Sequence, residues 1–138
     1  FNNNISRSFE FTNLSELFNS YKNMVAGTSF SFYKADEYTK FLDAKRTALI
    51  NSDDYNTKDI DNAINNCKNR YGQGTDGSVV AIPSKDGSEV VVYGSHAYTV
   101  AGVDNGYVKL INPHNNSESF EISEIYFKIL FDEISCAK

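Results

Sequence analysis

The sequence has no tryptophan, only two prolines, two cysteines, and no apolar run long enough to span a membrane. Two cysteines, Cys67 and Cys136, are too few for a disulfide framework; one bridge could form, but nothing in the sequence requires it. The low proline content and eight glycines argue against a linker or a disordered tail. Because a transmembrane helix needs about 20 apolar residues, the sequence predicts no membrane span.

The sequence also lacks an excess of positive charge. It has 13 Lys and Arg residues against 18 Asp and Glu residues, a formal net charge of -5, and no block of like charge. Binding to nucleic acid depends on a clustered basic face that displaces counterions from phosphates. The charge pattern therefore predicts that nucleic acid is not a partner.

The chain begins at Phe1 rather than at methionine. From this we expect a processed product whose original targeting segment has been removed. Asn-x-Ser sequons at Asn4, Asn13 and Asn115 favour a secreted or cell-surface protein over a cytoplasmic one. The sequence does not define the compartment further.

The length of 138 residues and the hydrophobic fraction of 41% predict a single domain, residues 1–138, with a real core. Residues 1–72 are predicted to be mostly helical. A helical stripe runs from Leu14 to Val25, with Thr12 as its cap and Gly27 as its end, and further helices are predicted over 35–50 and 57–71.

The pattern changes to alternating apolar and polar residues in residues 73–138. Strands are predicted over 78–83, 89–93, 97–103, 107–112 and 120–122, followed by a short C-terminal helix in "SEIYFKILF". The turn "DNG" is a strong hairpin signal. Helices followed by a mainly antiparallel sheet predict the α+β class.

His96 and Asn112 stand at the two outer ends of the hairpin that this turn closes. A nucleophilic cysteine needs an imidazole that takes its proton, and that imidazole needs a third polar side chain to hold its orientation. Neighbouring antiparallel strands bring side chains within about 5 Å of each other. The hairpin therefore makes a pairing of His96 with Asn112 geometrically possible and chemically sensible, although a histidine at a strand start is usually a surface or core residue and Asn-Pro is usually a turn signal.

The same residues carry a family resemblance. The run "SHAYTVAGV", a turn and then "VKLINP" resembles the histidine and asparagine motifs of calpain-like cysteine peptidases, Gly-His-Ala-Tyr-Ser-Val and Leu-Arg-Asn-Pro-Trp. "FEISEIYFKILFDEISC" resembles the end of the calpain catalytic core, and residues 57–84 are similar in layout to the helix and strand before the histidine. The likeness covers about residues 57–138. Other papain-like peptidases share the order Cys, His, Asn or Asp.

The resemblance implies a papain-like peptidase subdomain that acts on a peptide or protein substrate. His96 would be the general base, Asn112 would orient its ring, and Pro113 would stiffen the strand exit. Where the family has a tryptophan that shields the His–Asn hydrogen bond, this chain has His114, which could be a second titrating group.

The family's nucleophile, a cysteine within Gly-x-Cys-Trp, has no counterpart in this sequence. Cys67 and Cys136 both resemble small packing residues. We expect either a histidine-bearing half whose cysteine lies on a separate, cleaved N-terminal chain of the same precursor, which we favour, or an inactive protein-binding pseudo-peptidase. A third hypothesis makes Cys67 the nucleophile of a rearranged fold.

A small acidic cluster, Asp53, Asp54 and Asp59, is the sequence's one candidate for a metal. Calcium prefers several oxygen ligands from a loop, and animal calpains use calcium to align their subdomains. The cluster lacks the order of a dedicated calcium loop, and Asp59 is explained by its place near a helix N-terminus. We expect no cofactor, with Asp53 and Asp54 as calcium candidates.

Overall fold

The computed structural model of the chain describes residues 3–5, 11–21, 23–115 and 117–137, and within them the fold is α+β, with four helices and two antiparallel sheets. The helices are α1 (Leu14–Ser20), α2 (Ala35–Ser52), α3 (Thr57–Asn69) and α4 (Glu124–Leu130). The strands are β1 (Asn3–Ile5), β2 (Asn23–Gly27), β3 (Tyr71–Gly74), β4 (Gly77–Pro83), β5 (Glu89–Tyr93), β6 (Ala97–Asp104), β7 (Tyr107–Ile111), β8 (Ser119–Ser123) and β9 (Glu133–Ala137). The predicted fold class is confirmed at this level.

The larger sheet has six strands in the order β1-β9-β2-β6-β7-β8, and the smaller has three in the order β3-β4-β5. Every paired neighbour in both sheets is antiparallel. The smaller sheet precedes β6 directly in the chain, so the turn after Tyr93 leads from one sheet into the other.

The helical stripe predicted from Leu14 to Val25 is wrong beyond Ser20. Asn13, not Thr12, caps α1, because its side chain accepts a hydrogen bond from the Glu16 amide at 3.0 Å. The chain then forms β2, in which Met24 and Ala26 are buried. Consecutive apolar residues are compatible with both the helical and the strand periodicity. Here the segment forms a strand because it pairs with β6 on one side and with β9 on the other. The first half of the chain thus supplies an inner strand of the sheet.

Helices α2, α3 and α4 pack against one another and supply much of the core. Leu42, Leu49 and Ile60 are fully buried, and each such side chain contributes about 1.5–3 kcal/mol through apolar burial. The Tyr38 hydroxyl donates to the Cys67 carbonyl at 3.0 Å, which ties α2 to α3. Helix α3 was predicted to reach Tyr71, but that residue begins β3.

The strand predictions in the second half are confirmed within two residues at each end. The last segment, "DEISCAK", had no predicted element, and the structure shows β9 there, between β1 and β2. Ile134 and Cys136 point into the core while Glu133 is exposed, a short alternation that a five-residue strand barely reveals. No helix in the described part of the chain is both long and apolar enough to cross a membrane.

The turn between β4 and β5 generates a prediction about acid stability. Asp86 accepts hydrogen bonds from the hydroxyls of Ser84 and Ser88 and from the Ser88 amide, which lower the pKa of its carboxyl to about 2. Because the folded pKa lies below its ordinary value, the carboxylate stabilises the turn above about pH 4. We expect this contribution to be lost as the pH falls from about 4 to about 2.

Titration of the Asp86 carboxyl followed by NMR checks this expectation. The midpoint should lie near 2 and should rise in Ser84→Ala, which removes one donor. Asp86→Asn is the matched control for stability, since it cannot ionise and should lose this part of the acid dependence. A midpoint near the ordinary aspartate value would contradict the interpretation.

Candidate active site

The hairpin formed by β6 and β7 carries His96 just before its first strand and Asn112 just after its second. Its turn is tight, with Asn105 at φ 51° and Gly106 at φ 81°. Two successive residues with positive φ are the signature of a type I′ turn, whose twist matches that of the strands. The predicted "DNG" hairpin is therefore confirmed.

A β-bulge in β6 puts His96 and Asn112 on the same face of the sheet. Next to the turn Asp104 pairs with Tyr107, but beyond a register shift at Val100–Gly102, Thr99 pairs with Ile111. Continuing that register sets Asn112 opposite Tyr98, whose face His96 shares because side chains alternate along a strand. Without the extra residue Asn112 would lie opposite Thr99, and the two side chains would point away from each other.

The His96 ring is hydrogen-bonded to the Asn112 side chain. The distance from His96 Nε2 to Asn112 Oδ1 is 3.0 Å, and Asn112 is only 6% exposed. The structure thus brings together the two residues that the sequence singled out. A buried asparagine of this kind fits a fixed amide rather than a turn residue in solvent.

The neighbours of Asn112 determine which end of its amide faces the histidine. The His114 amide donates to Asn112 Oδ1 at 3.0 Å, so the oxygen must lie on that side. Asn112 Nδ2 donates to the Glu118 carboxylate at 3.5 Å, which is a long hydrogen bond. The backbone amide of Asn112 also donates to the Glu118 carbonyl at 3.1 Å, which keeps the two residues side by side. A backbone N–H can only donate and a carboxylate can only accept, so the Asn112 side chain cannot be turned around.

This orientation fixes the tautomer of a neutral His96 ring. Because Asn112 presents an oxygen, which can only accept, Nε2 must carry the hydrogen. The lone pair of the neutral ring is then on Nδ1, the nitrogen that does not face Asn112. An imidazole held in this way can take a proton at Nδ1 without losing its hydrogen bond to Asn112.

Aromatic rings surround His96. Tyr98 meets it edge-on with ring centroids 4.8 Å apart, and Tyr93 does so at 5.8 Å. The His114 ring lies against it with centroids 4.9 Å apart. His114, which follows Pro113 where the resemblance expects a tryptophan, thus contacts the His96 ring, and its own side chain is exposed.

The segment from Tyr93 to His96 is held in a strained turn. Ser95 has φ 47°, a left-handed conformation that costs a non-glycine residue about 1–3 kcal/mol. Gly94 lies so close to the neighbouring segment that an added Cβ would stand 1.7 Å from the Phe30 carbonyl oxygen. The Gly94 amide donates to the Ser78 carbonyl at 2.9 Å, which secures the turn to β4.

Thr28 binds the backbone of this turn on its other side. Its hydroxyl donates to the Tyr93 carbonyl at 2.7 Å and accepts from the His96 amide at 3.1 Å, while its own amide donates to the His96 carbonyl at 3.0 Å. The sequence did not predict four residues that contact the site, namely Thr28, Tyr93, Tyr98 and Glu118. A threonine just past a strand end carries no sequence signal for such a role.

Neither cysteine has the environment of a nucleophile. Cys67 is fully buried in α3, and burial raises the pKa of its thiol far above the ordinary value. Burial also raises the pKa of the Cys136 thiol. Cys136 pairs with Met24 of β2, whereas Ala97, next to His96, pairs with Gly27, three residues further along the same strand. Three residues along a strand correspond to about 10 Å. The prediction that both are packing residues agrees with this burial.

A groove of about 280 Å³ borders His96 on the outer face of β9, β2 and β6. Its lining is formed by Val25, Gly27, Thr28, Ser95, His96, Ala97, Glu133 and Ser135. A larger groove of about 580 Å³ lies between the β4–β5 turn and strands β7 and β8, and neither His96 nor Asn112 lines it. The chemistry of the histidine, rather than cavity size, therefore marks the site.

The calcium candidates lie elsewhere. Asp53 ends α2 in a left-handed conformation, and Asp54 lies in the exposed loop before α3. Across the described ranges, no group of three or more His, Cys, Asp or Glu side chains is arranged to hold a metal ion. The calcium hypothesis stays a prediction.

Comparison of this chain with protein-family models, with curated proteins and with solved structures found no match. The resemblance of residues 57–138 to calpain-like peptidases therefore stays an expectation, and its strongest motif identity lies between Ser95 and Asn112.

The close approach at Gly94 generates a prediction about stability. Gly94→Ala should destabilise the fold by about 3 kcal/mol or more, because its Cβ would overlap the Phe30 carbonyl and force two backbone segments apart. Gly102→Ala is the control in β6, since its Cβ would meet Lys109 Cβ at an ordinary 3.8 Å. We expect it to cost less than about 1 kcal/mol.

Urea denaturation of the two variants measures both free energies of unfolding. Equal destabilisation by Gly94→Ala and Gly102→Ala would contradict the close approach.

Proposed function

We propose that this chain is the histidine-bearing half of a papain-like, specifically calpain-like, cysteine endopeptidase. The observation that carries the proposal is the 3.0 Å contact between His96 Nε2 and the oriented amide of Asn112. It leaves the basic Nδ1 for a thiol, as acyl transfer by a cysteine requires. The nucleophilic cysteine belongs to a separate chain cleaved from the same precursor.

In the proposed reaction His96 moves a proton twice. Nδ1 takes the proton of the partner chain's thiol, and the thiolate attacks the carbonyl carbon of a peptide bond to form a tetrahedral intermediate. The imidazolium then gives that proton to the leaving amine as the C–N bond breaks. Water, deprotonated by the same ring, hydrolyses the thioester and regenerates the thiol.

Asn112 acts through His96 rather than on the substrate. Its oxygen accepts from Nε2–H in both protonation states of the ring, so the imidazole keeps one orientation throughout the cycle. Glu118 and the His114 amide hold Asn112 in turn. The aromatic neighbours Tyr93 and Tyr98 restrict the ring's rotation.

The state of the two cysteines supports the assignment of the nucleophile to another chain. Cys67 and Cys136 are both buried, and burial raises the pKa of each thiol. A thiol in such surroundings stays protonated at neutral pH and is inert. The proposed general base and its orienting residue would therefore have no thiol to act on within this chain.

The same absence favours a second candidate, a catalytically inactive, protein-binding pseudo-peptidase domain. Such a domain would keep the hairpin and the His96–Asn112 contact for structural reasons. The two candidates differ in whether a reactive thiol accompanies His96.

Denaturing intact-mass analysis of the native purified protein, with and without a thiol-directed epoxide, separates the candidates. The peptidase proposal expects a second polypeptide that gains the mass of the inhibitor, while the 15.5 kDa chain stays unmodified. A single unmodified chain would favour the binding domain. Labelling of Cys67 or Cys136 would overturn the assignment of the nucleophile to another chain.

Substitution of the two histidines tests the role of His96. His96→Ala should lower peptide cleavage and epoxide labelling by at least about 100-fold, because the base is lost, while folding stays nearly intact. His114→Ala is the matched control and should keep cleavage within about 10-fold of the original protein, since its ring only covers His96. Retained activity in His96→Ala would refute the proposed function.

A further inference from the structure

The Thr28 hydroxyl connects the two ends of the turn that presents His96. It donates to the Tyr93 carbonyl at 2.7 Å and accepts from the His96 amide at 3.1 Å, so one side-chain oxygen joins the residues before and after Gly94–Ser95. Thr28 follows β2, and its side chain is 7% exposed. Water therefore has little access to replace these contacts.

We propose that Thr28 is a positioning residue that sets the placement of the His96 ring. The catalytic meaning of this inference rests on the proposed function, but the placement itself is a property of this chain. The Thr28 hydroxyl would hold the turn in its strained form and so keep Nε2 within hydrogen-bond distance of Asn112.

The argument begins with the ladder between β2 and β6. Gly27 and Ala97 are the last paired residues, and beyond them Thr28 and His96 still face each other. The Thr28 amide continues the ladder by donating to the His96 carbonyl at 3.0 Å. In the opposite direction, however, the His96 amide donates to the Thr28 side chain rather than to a backbone carbonyl.

That substitution of a hydroxyl for a carbonyl lets the chain turn away from the ladder. Regular pairing would carry the strand straight on, whereas here Ser95 adopts φ 47° and Gly94 lies against the Phe30 carbonyl. The strained conformation persists only if surrounding contacts hold it. Thr28 supplies two of those contacts through one oxygen atom.

The consequence for the ring follows from where Asn112 is fixed. Asn112 directly follows β7 and its amide donates to the Glu118 carbonyl at 3.1 Å, so its position is set independently of the His96 backbone. A relaxation of the turn by about 1 Å would stretch the 3.0 Å contact beyond hydrogen-bond distance. The ring would then lose the partner that fixes its tautomer.

Two substitutions at Thr28 separate the hydroxyl from the rest of the side chain. Thr28→Val keeps the shape and removes the hydroxyl, while Thr28→Ser keeps the hydroxyl and removes the methyl group. In Thr28→Val we expect hydrogen exchange at the His96 amide to quicken at least 10-fold relative to the Val100 amide of the same strand. Thr28→Ser should exchange like the original chain.

The ring itself is read by nitrogen NMR of the uniformly labelled chain at a pH where His96 is neutral. The original chain and Thr28→Ser should show one tautomer, with the hydrogen on Nε2, and Thr28→Val should show a mixture of both. A merely structural role would lower the melting temperature of Thr28→Val and leave this signature unchanged. That result would overturn the proposal.

If Thr28→Val does not fold, Thr28→Ala provides the test, since it also lacks the hydroxyl and places no methyl group against the Tyr93 carbonyl and the His96 amide. Loss of the single tautomer in folded Thr28→Ala would support the proposal, and its retention would overturn it.

These readouts need no partner chain, so they separate the two proposals. A tautomer that depends on Thr28, in a native purified protein with no reactive thiol on any chain, would leave the positioning role in place and favour the binding domain over the peptidase. A reactive thiol with a tautomer indifferent to Thr28 would do the reverse.

Discussion

The geometry around His96 depends on the close contact between two backbone segments, Thr28–Phe30 and Tyr93–His96. They lie so near each other that residue 94 has no space for a side chain beyond hydrogen. Tyr93 ends a strand of the small sheet and Ala97 begins a strand of the large one. His96 therefore lies where the two sheets join. Its backbone is hydrogen-bonded to Thr28 at the end of β2, and the neighbouring Gly94 amide is hydrogen-bonded to Ser78 of β4.

The ring of His96 is fixed by a different principle, the matching of donors with acceptors. A carboxylate and an amide hydrogen set the direction of the Asn112 side chain, and Asn112 then sets the hydrogen on His96. Apolar packing alone could not have done this, since the two ends of an asparagine amide have nearly the same shape. A histidine that merely filled a gap in the structure would need no such series of directed contacts.

The sequence allowed much of the second half of the chain to be predicted, because its strands alternate and its turns contain glycine and asparagine. The "DNG" turn is the best example, since positive φ at Asn105 and Gly106 is what those residues favour. The strand that contains Met24 and Val25 was harder to predict. Two adjacent apolar residues fit both the helical and the strand periodicity, and only pairing with the neighbouring strands makes this segment a strand. Strand β9 was missed for a similar reason.

The pairing of His96 with Asn112 was predicted from a hairpin without irregularity, and in such a hairpin it would have failed. The bulge at Val100–Gly102 corrects the register, and although Gly102 is a residue that often marks a bulge inside a strand, this signal was not used. The role of Thr28 was also beyond sequence reasoning, since its contacts join residues 65 and 68 positions apart. Long-range hydrogen bonds of this kind depend on the assembled sheet.

The bulge has a consequence for how this chain should be compared with any relative. One added residue moves each later side chain to the other face of the sheet. It therefore matters more whether the number of residues between His96 and Asn112 is odd or even than how large it is. A relative with one residue fewer in β6 would keep both letters of the motif and lose their contact. One with two residues more, one in each strand, would keep the contact although its alignment shows gaps. Motif searches that score only identity would rank these two sequences in the wrong order.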